Sequence, residues 1–192
     1  MPAVLSPAKL PASFRVFACI NNPLLNSFES GDGRLTNWIR SSTLPASGTA
    51  PQTVYYFPDK YKSSANNAEY EVLIRLAEIY LIRAEARAML NKSSAAEDVN
   101  VVRSRAGLSG IPAASNQVTL LAAIAKERQT ELFTEAGHRF FDLKRTGTLD
   151  AVMNVVAPLK PTTWASYMAL FPIPPADLLQ DPNLKPNPGY LQ

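Results

Sequence analysis

Late in the chain, Glu127, Glu131, Glu135, His138 and Asp142 recur every three or four residues. On an unbroken helix that spacing puts them on one face. Carboxylates and an imidazole sharing a face could ligate a metal or do general acid–base work. Glu135 and His138 have the Glu-x-x-His spacing of a di-iron ligand pair, but that site needs a second such pair. His138 is the sole histidine, so a di-iron site is excluded within this chain. A zinc site built from one His and several carboxylates stays open on spacing, although it is an unusual ligand set. The stronger reading is structural. Arg128, Arg139, Lys144 and Arg145 lie close enough to the row to neutralise it as ion pairs. The sequence has no Gly-rich phosphate loop, no Gly-x-Ser-x-Gly elbow and no Cys–His pair. No catalytic residue, metal site or cofactor is assigned.

A second chemistry lies in the aromatic residues. Trp38, Tyr55, Tyr56, Tyr61, Trp164 and Tyr167 fall in segments without helical periodicity. Loops carry binding functions, and an aromatic face can stack on the apolar face of a sugar ring. Trp38, Tyr55 and Trp164 are the candidate ligand-binding residues. The alternative is that these rings wedge the loops onto a helical core.

The element that must position these groups is Glu69 to Asn91, which has neither Pro nor Gly in a chain carrying 16 Pro. Leu73, Leu76, Ala77, Tyr80, Leu81, Ala84 and Ala88 fall on one helical face. Ile74, Ile79 and Ile82 widen that arc, so the helix is expected to be central and contacted on more than one side. Its small alanines admit a close neighbour. A second helix is predicted over Ser94 to Arg105, with Ser94 and Glu97 as a capping box and Gly107 ending it. A third is predicted from Thr119 to Ala136, interrupted at Gly137 and continued over His138 to Arg145. Leu149 to Val156 reads as a short helix, and Pro174 or Pro175 opens a turn through Leu179. Upstream, residues 1–68 read as mostly irregular. Phe14 to Ile20 and Thr53 to Phe57 are candidate strands there, Glu29 to Arg34 a turn, and Arg34 to Ser41 a short helix. One domain is expected: 1–68 irregular, 69–147 helical core, 148–192 loop-rich tail. The fold class is mainly α, with tetratricopeptide-like helix pairs and long irregular segments.

Composition sets the outer bounds. At 192 residues, 46% apolar and 18% charged, the chain can bury a core of fair size. The net charge of +3 is small and the basic residues do not cluster, which argues against nucleic acid as a partner. No apolar run is long enough to cross a membrane. Cys19 is the single cysteine, so no internal disulfide forms. Val16-Phe-Ala-Cys19 faintly resembles a lipoprotein cleavage site, but Pro2, Pro7, Lys9, Pro11 and Arg15 leave no apolar signal core before it.

Several stretches in order carry a resemblance. They are Asp32-x-Arg34, Lys60-Tyr-Lys62, Arg75-Leu-Ala-Glu-Ile-Tyr-Leu-Ile-Arg-Ala-Glu-Ala86, Val102-Arg-Ser-Arg-Ala-Gly-Leu108, Ile124 to Leu132, Glu135-Ala-Gly-His-Arg-Phe-Phe-Asp-Leu-Lys-Arg145, Pro172-Ile-Pro174 and Asn187-Pro-Gly-Tyr190. In this order and spacing they resemble the C-terminal part of the SusD/RagB family of nutrient-binding outer-membrane lipoproteins. The resemblance implies a helical protein with tetratricopeptide-like pairs packed on an irregular, ligand-contacting part. It implies a lipid-anchored protein on the surface of Bacteroidetes-type cells. There it would sit on a SusC-like TonB-dependent transporter and capture oligosaccharides or peptides for import, as a binding protein and not an enzyme. The family is longer, with a signal peptide, a lipidated Cys and further helices upstream. The chain therefore reads as a fragment, and the open sides of the 69–91 helix are the expected exposed apolar face. Within the resemblance, Arg75, Glu78, Arg83 and Glu85 are expected to lock helices together. Glu131, His138, Arg139 and Asp142 are expected to do so between the third helix and the tail.

Three functions follow as expectations: glycan capture beside a transporter, a helical-repeat module whose ligand is another protein, or an enzyme using the Glu127–Asp142 row. Finding that row buried and paired to arginine would remove the third.

Overall fold

The computed structural model describes residues 19–62, 69, 72–160 and 162–190. The chain divides into two compact units, one running to Arg139 and the other starting at Phe140. The expected strand at Phe14 to Ile20 lies almost wholly outside the described residues. Among the described residues, no helix is long and apolar enough to cross a membrane.

Among the described residues, the first unit opens with two short helices, α1 (Asn22–Leu25) and α2 (Gly33–Trp38). Asp32 caps α2 by accepting the Arg34 amide at 2.9 Å. The predicted helix over Arg34 to Ser41 stops at Trp38, because Ile39–Leu44 is strand β1. It pairs antiparallel with β2 (Thr53–Pro58), with Ile39 opposite Pro58 and Leu44 opposite Thr53. The ladder outcompetes further helix here, as tertiary pairing commonly overrides local preference.

Three helices follow: α3 (Leu76–Met89), α4 (Ala95–Arg105) and α5 (Gln117–Glu131). α3 and α4 form a hairpin, and α5 packs on both. The inner face of α3 is as its spacing predicts. Ala77, Leu81, Ala84 and Ala88 are buried, against Val102 at one end and against Ala95, Ala96, Val99, Leu120 and Ile124 at the other. Small residues at this seam let the backbones approach closely. The first turn differs from expectation. Arg75 is extended at φ −112° and ψ 147°, and Leu73, Ile74 and Leu76 are exposed. Arg75 spends its side chain on α5, so the helix starts after it.

The predicted capping box on α4 is absent. Ser94 holds a helical φ/ψ and its side chain makes no cap bond. Glycine does end α4: Gly107 sits at φ 79°, and the Leu108 amide reaches back to the Arg103 carbonyl at 2.9 Å. Asn116 caps α5 by accepting the Thr119 amide at 2.9 Å. Gln117 donates to the terminal carbonyls of α3, Ala88 at 3.0 Å and Met89 at 3.1 Å. α5 ends five residues before the predicted Ala136. Thr134, Ala136 and Gly137 take positive φ in the turn that follows, which sends Leu132 and Phe133 into the core.

The remaining helices are α6 (His138–Arg145), within which the division between the units falls, α7 (Leu149–Val156) and α8 (Pro175–Gln180). In the second unit, 3₁₀ turns at Ala157–Leu159 and Ser166–Ala169 precede the extended, proline-rich run to α8. The C-terminal segment folds back. The Tyr190 hydroxyl donates to the Leu170 carbonyl at 2.8 Å, and Asn187 Nδ2 to the Phe171 carbonyl at 2.7 Å. The Tyr190 ring meets Tyr167 edge-on at 5.0 Å. Gly189 is required there: at φ 89°, an added Cβ would lie 2.3 Å from Tyr167 Cγ.

Candidate functional site

The carboxylate row is the hub of an ion-pair network. α5 points Glu127 and Glu131 inward, one helical turn apart, and both are buried. Arg34, buried at the start of α2, reaches Glu127 at 2.6 Å and Glu131 at 3.2 Å while Asp32 holds its other edge at 2.9 Å. Arg103 from α4 bridges Glu127 at 3.2 Å and Glu29 at 2.9 Å. Glu131 also receives Arg75 at 2.7 Å and Arg105 at 2.5 Å. Its backbone carbonyl, at the end of α5, accepts from Lys60 Nζ at 2.7 Å and Arg75 Nη2 at 3.0 Å. Those two cations cap the helix where the sequence alone predicts continuation. Lys60 and Arg75 both pair with Glu135 as well. Glu78 faces His138 at 3.6 Å.

The electrostatics follow from this packing. Burial raises the Glu131 pKa, but Arg105 and Arg75 more than offset it and hold the carboxyl below its ordinary value. Arg103 and Lys126 pull Glu29 down to about 2. Burial draws Arg34 down, yet Asp32 and Glu127 overcome it and raise the group further. Burial dominates at Lys60, which is lowered despite Glu135 beside it. A general acid needs a carboxyl raised toward neutrality, and Glu131 is shifted the other way. Glu127 and Glu131, buried and held by guanidinium groups, meet the condition set against acid–base use, while Glu135, His138 and Asp142 of the same row are only partly buried. Among the described residues, no group of three or more His, Cys, Asp or Glu is placed to hold a metal ion.

The network fastens the segment that carries α1, α2 and the β1–β2 ladder to the helices α3–α5. Asp32, Arg34 and Lys60 come from that segment, while Arg75, Arg103, Arg105, Glu127 and Glu131 come from the helical core and its edges. Glu131 was expected to tie the third helix to the tail; its side-chain partners are instead Arg34, Arg75 and Arg105. On the other side of the hairpin, Asp98 of α4 takes Arg83 at 2.6 Å and Arg87 at 2.7 Å from α3.

The three candidate aromatics occupy different surroundings. Trp38, half-buried, is the apolar partner of the hub cations. Lys60 Nζ, Arg105 Cζ and Arg75 Cζ lie 4.7, 5.4 and 5.8 Å from its ring centroid, and Phe133 tilts against it at 6.4 Å. Tyr55 lies on β2 with 7% of its surface exposed, and its hydroxyl has no hydrogen-bond partner among the described residues. Trp164, in the second unit, is half-buried, and its indole Nε1 donates to Asp150 of α7 at 2.7 Å. Trp38 and Tyr55 share the first unit, and Trp164 belongs to the second. Asp150 went unnoticed in the sequence, where nothing links it to a tryptophan fourteen positions away.

The SusD family model matches residues 25–190, nearly the whole chain. The chain belongs to the SusD family. Solved structures agree. A SusD superfamily protein from Bacteroides fragilis matches with 25% identity and a TM-score of 0.64 over 89% of this chain and 40% of its own. NanU of B. fragilis matches with 25% identity and a TM-score of 0.65, over 91% of this chain and 40% of its own. A SusD-like carbohydrate-binding protein from Bacteroides vulgatus matches with 30% identity and a TM-score of 0.55, over 67% of this chain and 27% of its own. No curated protein matches the sequence. This SusD-family chain thus spans about 40% or less of the length of these structures. Among the described residues it is mainly α-helical with one small two-stranded sheet.

Proposed function

We propose that this protein binds carbohydrate at the cell surface and passes it to a SusC-like TonB-dependent transporter in the outer membrane. The observation that carries this reading is the family match over residues 25–190. The similarity to a carbohydrate-binding SusD-like protein supports it. In this reading the hub is scaffold, and an exposed aromatic face contacts the ligand.

Of the three aromatics, Trp164 is the best placed. Its Nε1 is anchored by Asp150, which fixes the ring while leaving it half-exposed for stacking. Asp150 is itself exposed, so its second carboxylate oxygen can accept from a sugar hydroxyl. Trp38 would contribute an edge beside the exposed Arg105, with its face already taken by cations. Tyr55, with ring and hydroxyl both buried, would stand behind the contact surface and not on it. Lipid anchoring and outer-membrane placement belong to the same proposal.

The test is a screen of the purified protein against a panel of soluble oligosaccharides and peptides, with pull-down of an outer-membrane partner. Saturable binding of at least one glycan supports the reading. Binding of peptides alone would move the ligand class, and binding of neither would overturn it.

A further inference from the structure

Trp38 shows what this chain does with an indole beside carboxylates. Its own cations surround the ring: Lys60 Nζ, Arg105 Cζ and Arg75 Cζ lie 4.7, 5.4 and 5.8 Å from the centroid. Glu131 and Glu135 pair with those same cations. The ring quadrupole and the carboxylate charge act in the same sense, so together they hold a cation. Trp164 and Asp150 supply the same two components in the second unit, where the indole Nε1 donates to Asp150 Oδ1 at 2.7 Å. Among the described residues, no cation faces the Trp164 ring and no Lys or Arg pairs with Asp150. Asp150 can stand without one because it lies in the first turn of α7, where the helix dipole favours a carboxylate. The pair is half-exposed at the ring and exposed at the carboxylate, so a cation can reach both from solvent.

We propose that the Trp164–Asp150 pair is a subsite for a sugar unit bearing a free, protonated amino group, with Asp150 as the residue that sets this preference. The inference rests on the carbohydrate reading and narrows it to a class of sugar. A pyranose stacked on the indole presents its C–H face to the ring. The Nε1 edge of that ring points at Asp150, so a substituent projecting over this edge meets the carboxylate oxygen that the indole leaves free. An ammonium there gains a charge-assisted hydrogen bond and the attraction of the ring face. A hydroxyl in the same place gains a neutral hydrogen bond alone. A uronate or sulfate meets a carboxylate that no basic side chain offsets, and is disfavoured. Trp38 offers no such subsite, because the chain's own cations already fill that role.

The test is calorimetric titration with matched β-1,4-linked oligosaccharides of equal length, built from glucose, glucosamine, N-acetylglucosamine or glucuronate. An exposed ion pair and an exposed cation–π contact are each modest, and together they correspond to about tenfold in affinity. The glucosamine oligomer is therefore expected to bind about tenfold more tightly than the glucose oligomer, and the glucuronate oligomer most weakly. Raising the salt concentration should erode the advantage of the amine and leave the neutral oligomers almost unaffected. Asp150→Asn keeps an acceptor for the indole and removes the charge, and is expected to bring the glucose and glucosamine affinities within about twofold of each other. Quenching of indole fluorescence by the glucosamine oligomer should persist in the wild type and disappear in Trp164→Phe. Equal wild-type affinity for the glucose and glucosamine oligomers would overturn the inference and leave carbohydrate binding standing. So would an amine preference that survives in Asp150→Asn. Failure of all four oligomers to bind would also overturn it, and the carbohydrate reading would then be decided by the wider glycan panel.

Discussion

Replacing Glu131 by glutamine is the sharpest probe of the buried hub. The Glu131 side chain is 0% exposed and faces three guanidinium groups. Their contributions are unequal. Arg105 is about half exposed and can turn to water, so its share is at most about 1 kcal/mol after screening. Arg34 is 3% exposed and cannot, but it keeps Asp32 and Glu127. Arg75 keeps Glu135. Removing one partner of a buried pair costs about 3–5 kcal/mol, because a charge is left buried without its counter-charge. Glutamine preserves the volume and one acceptor, so the lower end applies, about 3 kcal/mol. For a chain of this size that lowers Tm by about 6–12 °C. The assay is thermal unfolding followed by calorimetry and circular dichroism. A double-mutant cycle with Arg75→Ala isolates the direct term, expected at about 1–3 kcal/mol. A drop under about 2 °C, with no coupling in the cycle, would refute the reasoning that the hub fastens the N-terminal segment.

The other predictions follow from single contacts. Lys126→Ala removes only an exposed pair with Glu29 and should cost under about 1 kcal/mol in urea unfolding. Acid should destabilise the fold in a defined direction: the Glu29 and Glu131 pKa values are both lowered by folding, so their stabilisation is present above the unfolded value of 4.5 and is lost as pH falls through the folded values, which for Glu29 is about 2. Tm measured against pH should therefore decline below about pH 4.5, and less steeply in Glu131→Gln. Gly189→Ala puts a Cβ into Tyr167 at a left-handed φ, and should cost about 1–3 kcal/mol and speed proteolysis of the C-terminal segment.

What could be read in the sequence was whatever depends on neighbours along the chain. The inner stripe of α3, Gly107 at the end of α4, and the span of α7 are set by spacing and local backbone preference. The boundaries that differ are those set at long range. α3 starts at Leu76 because Arg75 is drawn to Glu131 at the end of α5 and to Glu135 in the turn after it. α5 stops at Glu131 because Lys60 and Arg75 take its last carbonyl. β1 replaces the end of a predicted helix because its partner strand lies across a loop. The Glu127–Asp142 row was visible as a row, but its meaning depended on Arg34, Arg103 and Arg105, which no spacing rule brings to it. For the same reason Trp164 could be named from sequence while Asp150 could not.

The central claim is carbohydrate capture, and one titration tests it most directly. The glycan that scores highest in the panel is titrated calorimetrically into the wild-type protein and into Trp164→Ala, Asp150→Ala and Trp38→Ala. Each variant is first checked for an unchanged fold. The account predicts saturable wild-type binding, weakened about tenfold or more by Trp164→Ala and to a smaller extent by Asp150→Ala. Absence of wild-type binding to every glycan offered would contradict it.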